Sequence, residues 1–233
     1  MILASPKNLF DEKSFLSSYD LILSNSEHYV SILKNHVEAL KHCESILDLG
    51  CGSGASTIEF LKHRKKVTAL DKSLDSLEFL KEKAIKIKLE GGLKCIQGDM
   101  TDLVNIPSNS YEGVNSMIAA HLVKNFEGHI KESYRVLKSE GTFVITARDI
   151  NGNQSLLVDI AERSLKSKGL FNKLRDEFDE VCSNLLMTAN NRSKSLMTKE
   201  EAKNILIKNG FRDIQEIENK SQGVMYTFKA EKV

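Results

Sequence analysis

Three glycines at alternate positions, Gly50, Gly52 and Gly54, follow directly on the apolar run Ser45–Leu49. Glycine at such a turn lets the backbone bend tightly and come close to a ligand, because no Cβ stands in the way. A helix that follows the turn aims its free amide groups into the same crevice, beyond the carboxyl ends of the strands, where open α/β sheets bind ligands. A carboxylate, Asp71, ends the next apolar run, Val67-Thr-Ala-Leu-Asp71. It can accept a hydrogen bond from each hydroxyl of an adenosine ribose. A second carboxylate, Asp99, follows the third run in Gln97-Gly98-Asp99-Met100. It can accept from an exocyclic adenine amine while the Met100 amide reaches a ring nitrogen. Each feature alone is common, but at the ends of three successive strands they converge on one nucleoside. The G-x-G-x-G spacing also differs from the G-x-G-x-x-G that seats a dinucleotide pyrophosphate.

These residues need alternating strands and helices to hold them. The patterning predicts strands over 45–49, 66–70, 93–97, 111–118 and 142–147, with helices over 55–63, 74–89 and 129–137. Strand, helix and strand in series require crossover connections, hence a doubly wound α/β domain with a parallel sheet covered on both faces. Upstream, Val30, Leu33, Val37 and Leu40 recur at helical spacing from Ser26, with Asn25 or Ser24 as the cap. Downstream, 151–195 contains no convincing strand. Leu156, Ile160 and Leu165 mark one helix there, and Phe171, Leu174, Phe178, Val181 and Leu185 a second with a strong apolar stripe. This helical insertion is either a cover for the sheet or a lid. Thr198 then caps a helix stopped by Gly210, and 212–217 and 224–230 alternate as two strands that could pair antiparallel at one edge.

Composition narrows the function. At about 150 residues per domain, 233 residues make one compact domain with insertions. Lys plus Arg number 33 against 32 Asp plus Glu, so the chain has no global attraction for nucleic acid or an anionic membrane. No apolar run has the length of a membrane span, and the first residues lack the basic-then-apolar pattern of a secretory signal, so a cytoplasmic location is expected. Cys43, Cys51, Cys95 and Cys182 form no C-x-x-C pair and no cluster with histidine. They read as reduced thiols, and no metal is expected.

The segment Ile46-Leu-Asp-Leu-Gly-Cys-Gly-Ser-Gly54 resembles the first motif of the class I S-adenosylmethionine-dependent methyltransferases, specifically the type 11, ubiquinone-biosynthesis-like group. Asp71 is similar to that family's ribose-binding acid, and Gly98-Asp99-Met100 to its adenine-contacting motif. Ile106-Pro107-Ser-Asn-Ser-Tyr111-Glu112 resembles its approach to strand four, Glu132-Ser-Tyr-Arg-Val-Leu-Lys138 its helix before strand five, and 198–211 its last helix and turn. The resemblance implies a Rossmann-like seven-stranded sheet, mostly parallel, with the last strand inserted antiparallel. It implies S-adenosyl-L-methionine as cofactor and methyl transfer as the reaction. Cofactor contacts are then expected at Asp48, Gly50, Cys51, Gly52, Gly54, Asp71, Lys72, Asp99, Met100, Ser116 and Met117. Asp48 either suits the cofactor's ammonium or caps the turn. Lys72 stands where the family is usually apolar and would cover the adenine with its methylene stem. Lys138-Ser-Glu-Gly141 departs from the family's usual Lys-Pro-Gly-Gly, far from the reacting methyl. The expected units are a helical cap (1–44), a cofactor-binding core (45–150), the helical insertion or lid (151–195), and a closing helix with two edge strands (196–233).

Methyl transfer from a sulfonium asks the protein mainly to align the acceptor and exclude water. His121, Tyr19 and Arg148 are the candidate catalytic residues. His121 is either a base or a residue that holds its loop. Arg148 either pairs with an acceptor carboxylate or phosphate through its planar fork or joins a surface ion pair. Tyr19 lies, with His28 and Tyr29, in N-terminal helices that fold over the cofactor in the family. A small-molecule acceptor is expected, with no nucleic-acid partner, no membrane, and a monomer or homodimer as the working form. Against an RNA substrate, Ser116-Met-Ile-Ala119 follows strand four in place of an Asn-Pro-Pro-Tyr-like tetrad. The alternatives are a methyltransferase acting on RNA or protein, and a non-catalytic S-adenosylmethionine-binding protein.

Overall fold

The computed structural model describes residues 13–190 and 196–233. Strands β1 (Ser45–Leu49), β2 (Lys66–Asp71), β3 (Leu93–Gln97), β4 (Tyr111–Met117), β5 (Leu137–Arg148), β6 (Phe211–Glu216) and β7 (Met225–Lys232) form one sheet in the order β3-β2-β1-β4-β5-β7-β6. The first five run parallel, and β7 enters antiparallel between β5 and β6. Helices α3 (Ala55–Lys62), α4 (Leu74–Lys86) and α5 (Phe126–Val136) are the crossovers of the parallel half. Because both faces are covered, β1 is almost wholly apolar and buried after Ser45. Winding runs outward from β1 to β3, then returns to β4 on the other side of β1. That reversal opens a crevice at the carboxyl ends of β1 and β4, where such folds take their ligands.

Three local features differ from the sequence reading. Helix α2 (Glu27–Ala39) begins after Ser26, not after Ser24 or Asn25, and the Ser26 hydroxyl turns to His28 Nδ1 instead of capping the helix. Helix α4 ends at Lys86, short of residue 89. Strand β5 starts at Leu137, directly off α5, because Leu137 pairs with Tyr111 before the register shifts to Gly113 opposite Thr142. Glu140 lies in that irregular stretch at φ +62°, a conformation that favours glycine. The closing helix α8 (Lys199–Lys208) starts at the expected Thr198 cap, which Glu201 completes into a capping box.

The N-terminal helix α1 (Lys13–Ser24) packs on the insertion, not on the sheet. Phe15 and Ile22 of α1 join Ala161 and Leu165 of α6 (Ser155–Ser167) and Phe178 and Val181 of α7 (Arg175–Asn190) in a satellite core. Ile32 of α2, Leu157 and Ile160 of α6, and Met225 of β7 form a second cluster that joins this roof to the sheet. The apolar stripe of α7 therefore serves the roof. Among the described residues no helix is long and apolar enough to cross a membrane.

Candidate functional site

The three glycines are required for three different reasons. At Gly50, φ +70°, a Cβ would come within 2.6 Å of the Ala119 Cβ, so this glycine lets the β1 turn lie against the loop after β4. At Gly54, φ +82°, a Cβ would meet Leu80 at 2.4 Å, so this one lets α3 and α4 close. At Gly52, φ +51°, a Cβ would meet nothing within 4 Å. The missing side chain there leaves open space in a cavity instead of relieving a protein contact. The turn is fixed from below by Asp71, whose Oδ2 accepts from the Gly52 amide at 2.8 Å and whose Oδ1 accepts from the Ser73 amide at 2.9 Å.

The cavity, about 350 Å³, is lined by Gly50, Cys51, Gly52, Ser53, Asp71 and Lys72, by Gly98 and Met100, and by Met117, Ile118 and Ala119. The ends of β1, β2, β3 and β4 thus meet around one space. From above, Tyr19 and Tyr29 close it. Asp20, the acid of the Tyr-Asp pair that the family resemblance points to before the first motif, secures that roof: its carboxylate takes the Lys83 ammonium at 2.8 Å and the Ser53 hydroxyl at 3.0 Å. Ile118 lies at φ +59°, strained for a β-branched residue, and is held there by its amide donating to the Thr146 carbonyl at 3.0 Å.

Four of the expected contacts stand outside this lining. Asp48 is buried behind the turn, its Oδ2 taken by the Ser56 and Thr57 hydroxyls and its Oδ1 by the Asn115 amide. Burial pushes its carboxyl above the usual range, and those three donors act against the shift. Asn115 accepts in turn from His36 Nδ1, whose other ring nitrogen meets the Thr146 hydroxyl at 2.7 Å. Burial lowers His36 to about 4, so it is neutral and its single N–H points to Asn115. This chain of polar groups crosses β1, β4 and β5 beneath the cavity. Ser116 is fully buried against His129 Nε2 at 3.0 Å, and His129 Nδ1 donates to the Met100 carbonyl at 3.2 Å. Gly54 faces α4. Asp99 accepts from the Thr101 amide and hydroxyl and pairs with the Lys72 ammonium at 2.8 Å. Burial is the largest influence on Asp99 and opposes ionisation, yet Lys72 and Thr101 together hold its carboxyl below the ordinary range.

A second cavity, about 80 Å³, adjoins the first under the roof. The two share Tyr19, Tyr29, Ile118 and Leu122. The second is walled by α1, α2, α6 and α7 and is mostly apolar, and all three candidate catalytic residues, Tyr19, His121 and Arg148, line it. Burial holds the Tyr19 phenol well above its usual range. Burial first, and the neighbouring Arg148 second, lower His121 to about 3, so it is a neutral hydrogen-bonding group near pH 7 and a weak base. Arg148 is 8% exposed and joins no ion pair among the described residues, which removes the surface-pair reading. Its neighbour Asp149 is engaged elsewhere, accepting from the Lys199 and Asn151 amides.

A family model described as a methyltransferase domain, type 11, matches residues 47–145. The chain is 26% identical over 218 residues to an uncharacterized protein of Methanocaldococcus jannaschii, covering 91% of this chain and 74% of that one. It is 30% identical over 127 residues to a sterol 24-C-methyltransferase of Neurospora crassa, covering 54% of this chain and 32% of that protein. The chain thus spans about a third of the length of that curated relative. Among solved structures, the fold is similar to a phosphoethanolamine N-methyltransferase of Haemonchus contortus in complex with S-adenosyl-L-methionine (TM-score 0.67, 17% identity, 95% of this chain and 57% of that one). It is also similar to an S-adenosylmethionine-dependent methyltransferase of Aquifex aeolicus (TM-score 0.63, 15% identity, 95% and 99%). The sheet order is that of the methyltransferase structures it resembles, and residues 47–145, which hold the glycine turn closed by Asp71, match the type 11 methyltransferase domain.

Proposed function

We propose that this chain transfers a methyl group from S-adenosyl-L-methionine to a small organic acceptor held in the second cavity. The observation that carries this reading is the pair of adjoining cavities sharing Tyr19, Tyr29, Ile118 and Leu122. The open space at Gly52 fits a ligand that lies on the backbone, and the cavity's position at the ends of β1 to β4 fits a nucleoside joined to a second polar group. When bound, the cofactor supplies an electrophilic methyl on a sulfonium. Asp71 holds the ribose hydroxyls while keeping its two backbone donors, since each carboxylate oxygen accepts more than one bond. Gly98, Met100 and the Lys72 stem enclose the adenine, and Asp99 fixes Lys72 in place instead of reaching the base. Gly50, Cys51 and Met117 border the methionine portion. Asp48, Ser116 and Gly54 act one layer behind, setting the positions of the strand ends.

Tyr19 and Ile118 line both cavities, so they would frame the opening through which the acceptor atom meets the methyl carbon. The roof of α1, α6 and α7 keeps water from the reacting atoms, so the described parts of the 151–195 insertion and the 1–44 cap work together as a lid, residues 1–12 and 191–195 lying outside the described residues. An enclosed cavity of this size admits a metabolite more readily than a polymer strand, which favours a soluble small-molecule acceptor over RNA or protein. We place the protein in the cytoplasm, as a monomer or homodimer. The test is incubation with methyl-labelled cofactor and, separately, a metabolite extract, total tRNA and a protein lysate. Label in the low-mass fraction is expected. Label in tRNA or protein instead would overturn the small-molecule reading, and cofactor binding without any transfer would favour a binding protein.

A further inference from the structure

Among the described residues, three buried side-chain polar atoms lack a hydrogen-bond partner: His121 Nδ1, Arg148 Nε and Tyr226 Oη. Native interiors leave few such atoms, and each asks for a cause. Two of the three belong to residues lining the same cavity. Arg148 also has an electrostatic deficit there. It is 8% exposed, its Nη1 donates to the neutral Gln154 side chain, and none of the described carboxylates lies within ion-pair distance of it. A guanidinium removed from water with no counter-charge is costly, and burial lowers its pKa accordingly. Gln154 is itself tied to α7, its Nε2 donating to the Leu185 carbonyl at 3.0 Å, so Arg148 is positioned by the roof and not free to swing out to solvent.

We infer that the acceptor is a small organic carboxylate with an apolar body, its anionic group paired with Arg148 and hydrogen-bonded by His121. This rests on the reading of the second cavity as the acceptor's. Arg148 is the one charged residue lining that cavity among the described residues, which suits a single negative charge and not a phosphate dianion. A guanidinium matches a carboxylate with two parallel bonds. The remaining wall, including Phe15, Ile22, Leu157, Val158 and Met225, suits a hydrocarbon chain or ring. His121, neutral at pH 7, donates one ring N–H to the anion without adding charge.

The experiment is calorimetric titration of the intact protein, saturated with S-adenosylhomocysteine, with hexanoate and benzoate and with the isosteric hexanamide and benzamide. Phenyl phosphate and hexylamine complete the set. Carboxylates are expected to bind at least about tenfold tighter than the amides, the effect of one charge-assisted pair. Arg148→Gln should bring the two classes within about twofold of each other while S-adenosylhomocysteine affinity is retained, and Arg148→Lys should restore part of the preference. Should Arg148→Gln fail to fold, the comparison of acids with amides on the natural chain still decides. Amides binding as well as acids, tighter binding of phenyl phosphate or hexylamine, or no carboxylate binding at millimolar concentration would overturn the inference. A chain that ignores S-adenosylhomocysteine would instead fail the methyltransferase reading, and acids against amides would then be compared on the ligand-free protein.

Discussion

The two cavities are built by opposite means. The larger is made of turns at the ends of neighbouring strands, with the Gly50–Gly52 turn, Gly98 and the strained peptide at Ile118 in its wall. The smaller is made of side chains from helices far apart in sequence, α1 and α2 against α6 and α7. Their buried histidines differ in the same way. His36 and His129, under the larger cavity, use both ring nitrogens in protein hydrogen bonds. Of the two histidines lining the smaller, His28 meets the Ser26 hydroxyl through Nδ1 and His121 leaves its Nδ1 unpartnered. On the proposed reading, the larger cavity takes the cofactor, and the unpartnered groups of the smaller await the acceptor.

The contrast can be broken most strongly with acid. Burial lowers His28, His36 and His129 to about 4 and His121 to about 3. The unfolded chain takes up these protons near pH 6.5, before the folded chain can, so stability is complete above that pH and falls as pH drops toward 4. Each histidine contributes up to about 1.4 kcal/mol per pH unit in that window. Asp48, raised by burial, acts in the opposite sense and offsets part of the loss. Urea unfolding at pH 7 and pH 5 should therefore differ by several kcal/mol. Equal stability at both would mean the histidines are not buried and neutral.

Asp71→Ala should come next in size. It removes the anchor of the Gly52 amide and two bonds to ribose hydroxyls, each worth about 1.5–3 kcal/mol. Affinity for S-adenosylhomocysteine should fall about a hundredfold, while binding of hexanoate in the other cavity changes little. Normal cofactor binding would contradict the assignment of the larger cavity.

Alanine at Gly50 and at Gly52 should separate packing from binding. Both have positive φ, which costs about 1–2 kcal/mol for a residue with a side chain. At Gly50 the clash with Ala119 adds to that, so the melting temperature should fall further. At Gly52 the methyl enters open cavity space, so binding should weaken with the smaller loss of stability. Equal melting temperatures would contradict this division of roles. The smallest effect is expected at Glu140→Gly, where relief of the φ +62° strain and the added freedom of the unfolded chain nearly cancel, leaving a change of about 1 kcal/mol or less by thermal unfolding.

The sequence was most legible where structure is local. The apolar run, the glycine turn and the helix are contiguous over 45–62, so β1, α3 and the acids at the end of β2 and following β3 could be read directly. In the residues themselves the long-range β7–β5 pairing showed only as alternation in 224–230, and its antiparallel insertion was implied by the family resemblance. What lay beyond local reading was the division of labour among the acids. Asp48, Asp71 and Asp99 all stand at or near strand ends, and only the pairing of β1 with β4 brings Asn115 to Asp48, and that of β2 with β3 brings Lys72 to Asp99. The roof was hidden for the same reason. The Phe178 stripe on α7 indicates a buried helix face, and nothing near it in sequence names Phe15 and Ile22 of α1 as its partners. Arg148 was legible as a residue at a strand end, while its burial without a counter-charge depends on α6 and α7 closing around it.

The central claim is that cofactor and acceptor occupy two separate, adjoining places, and amide hydrogen exchange with and without S-adenosylhomocysteine tests it most directly. The account predicts slowed exchange at 49–54, 71–73, 98–101 and 116–119, where strand ends meet the larger cavity, with little change in α6 and α7 until hexanoate is added. Slowing that is absent from those four segments, or that appears in α6 and α7 with S-adenosylhomocysteine alone, would contradict it.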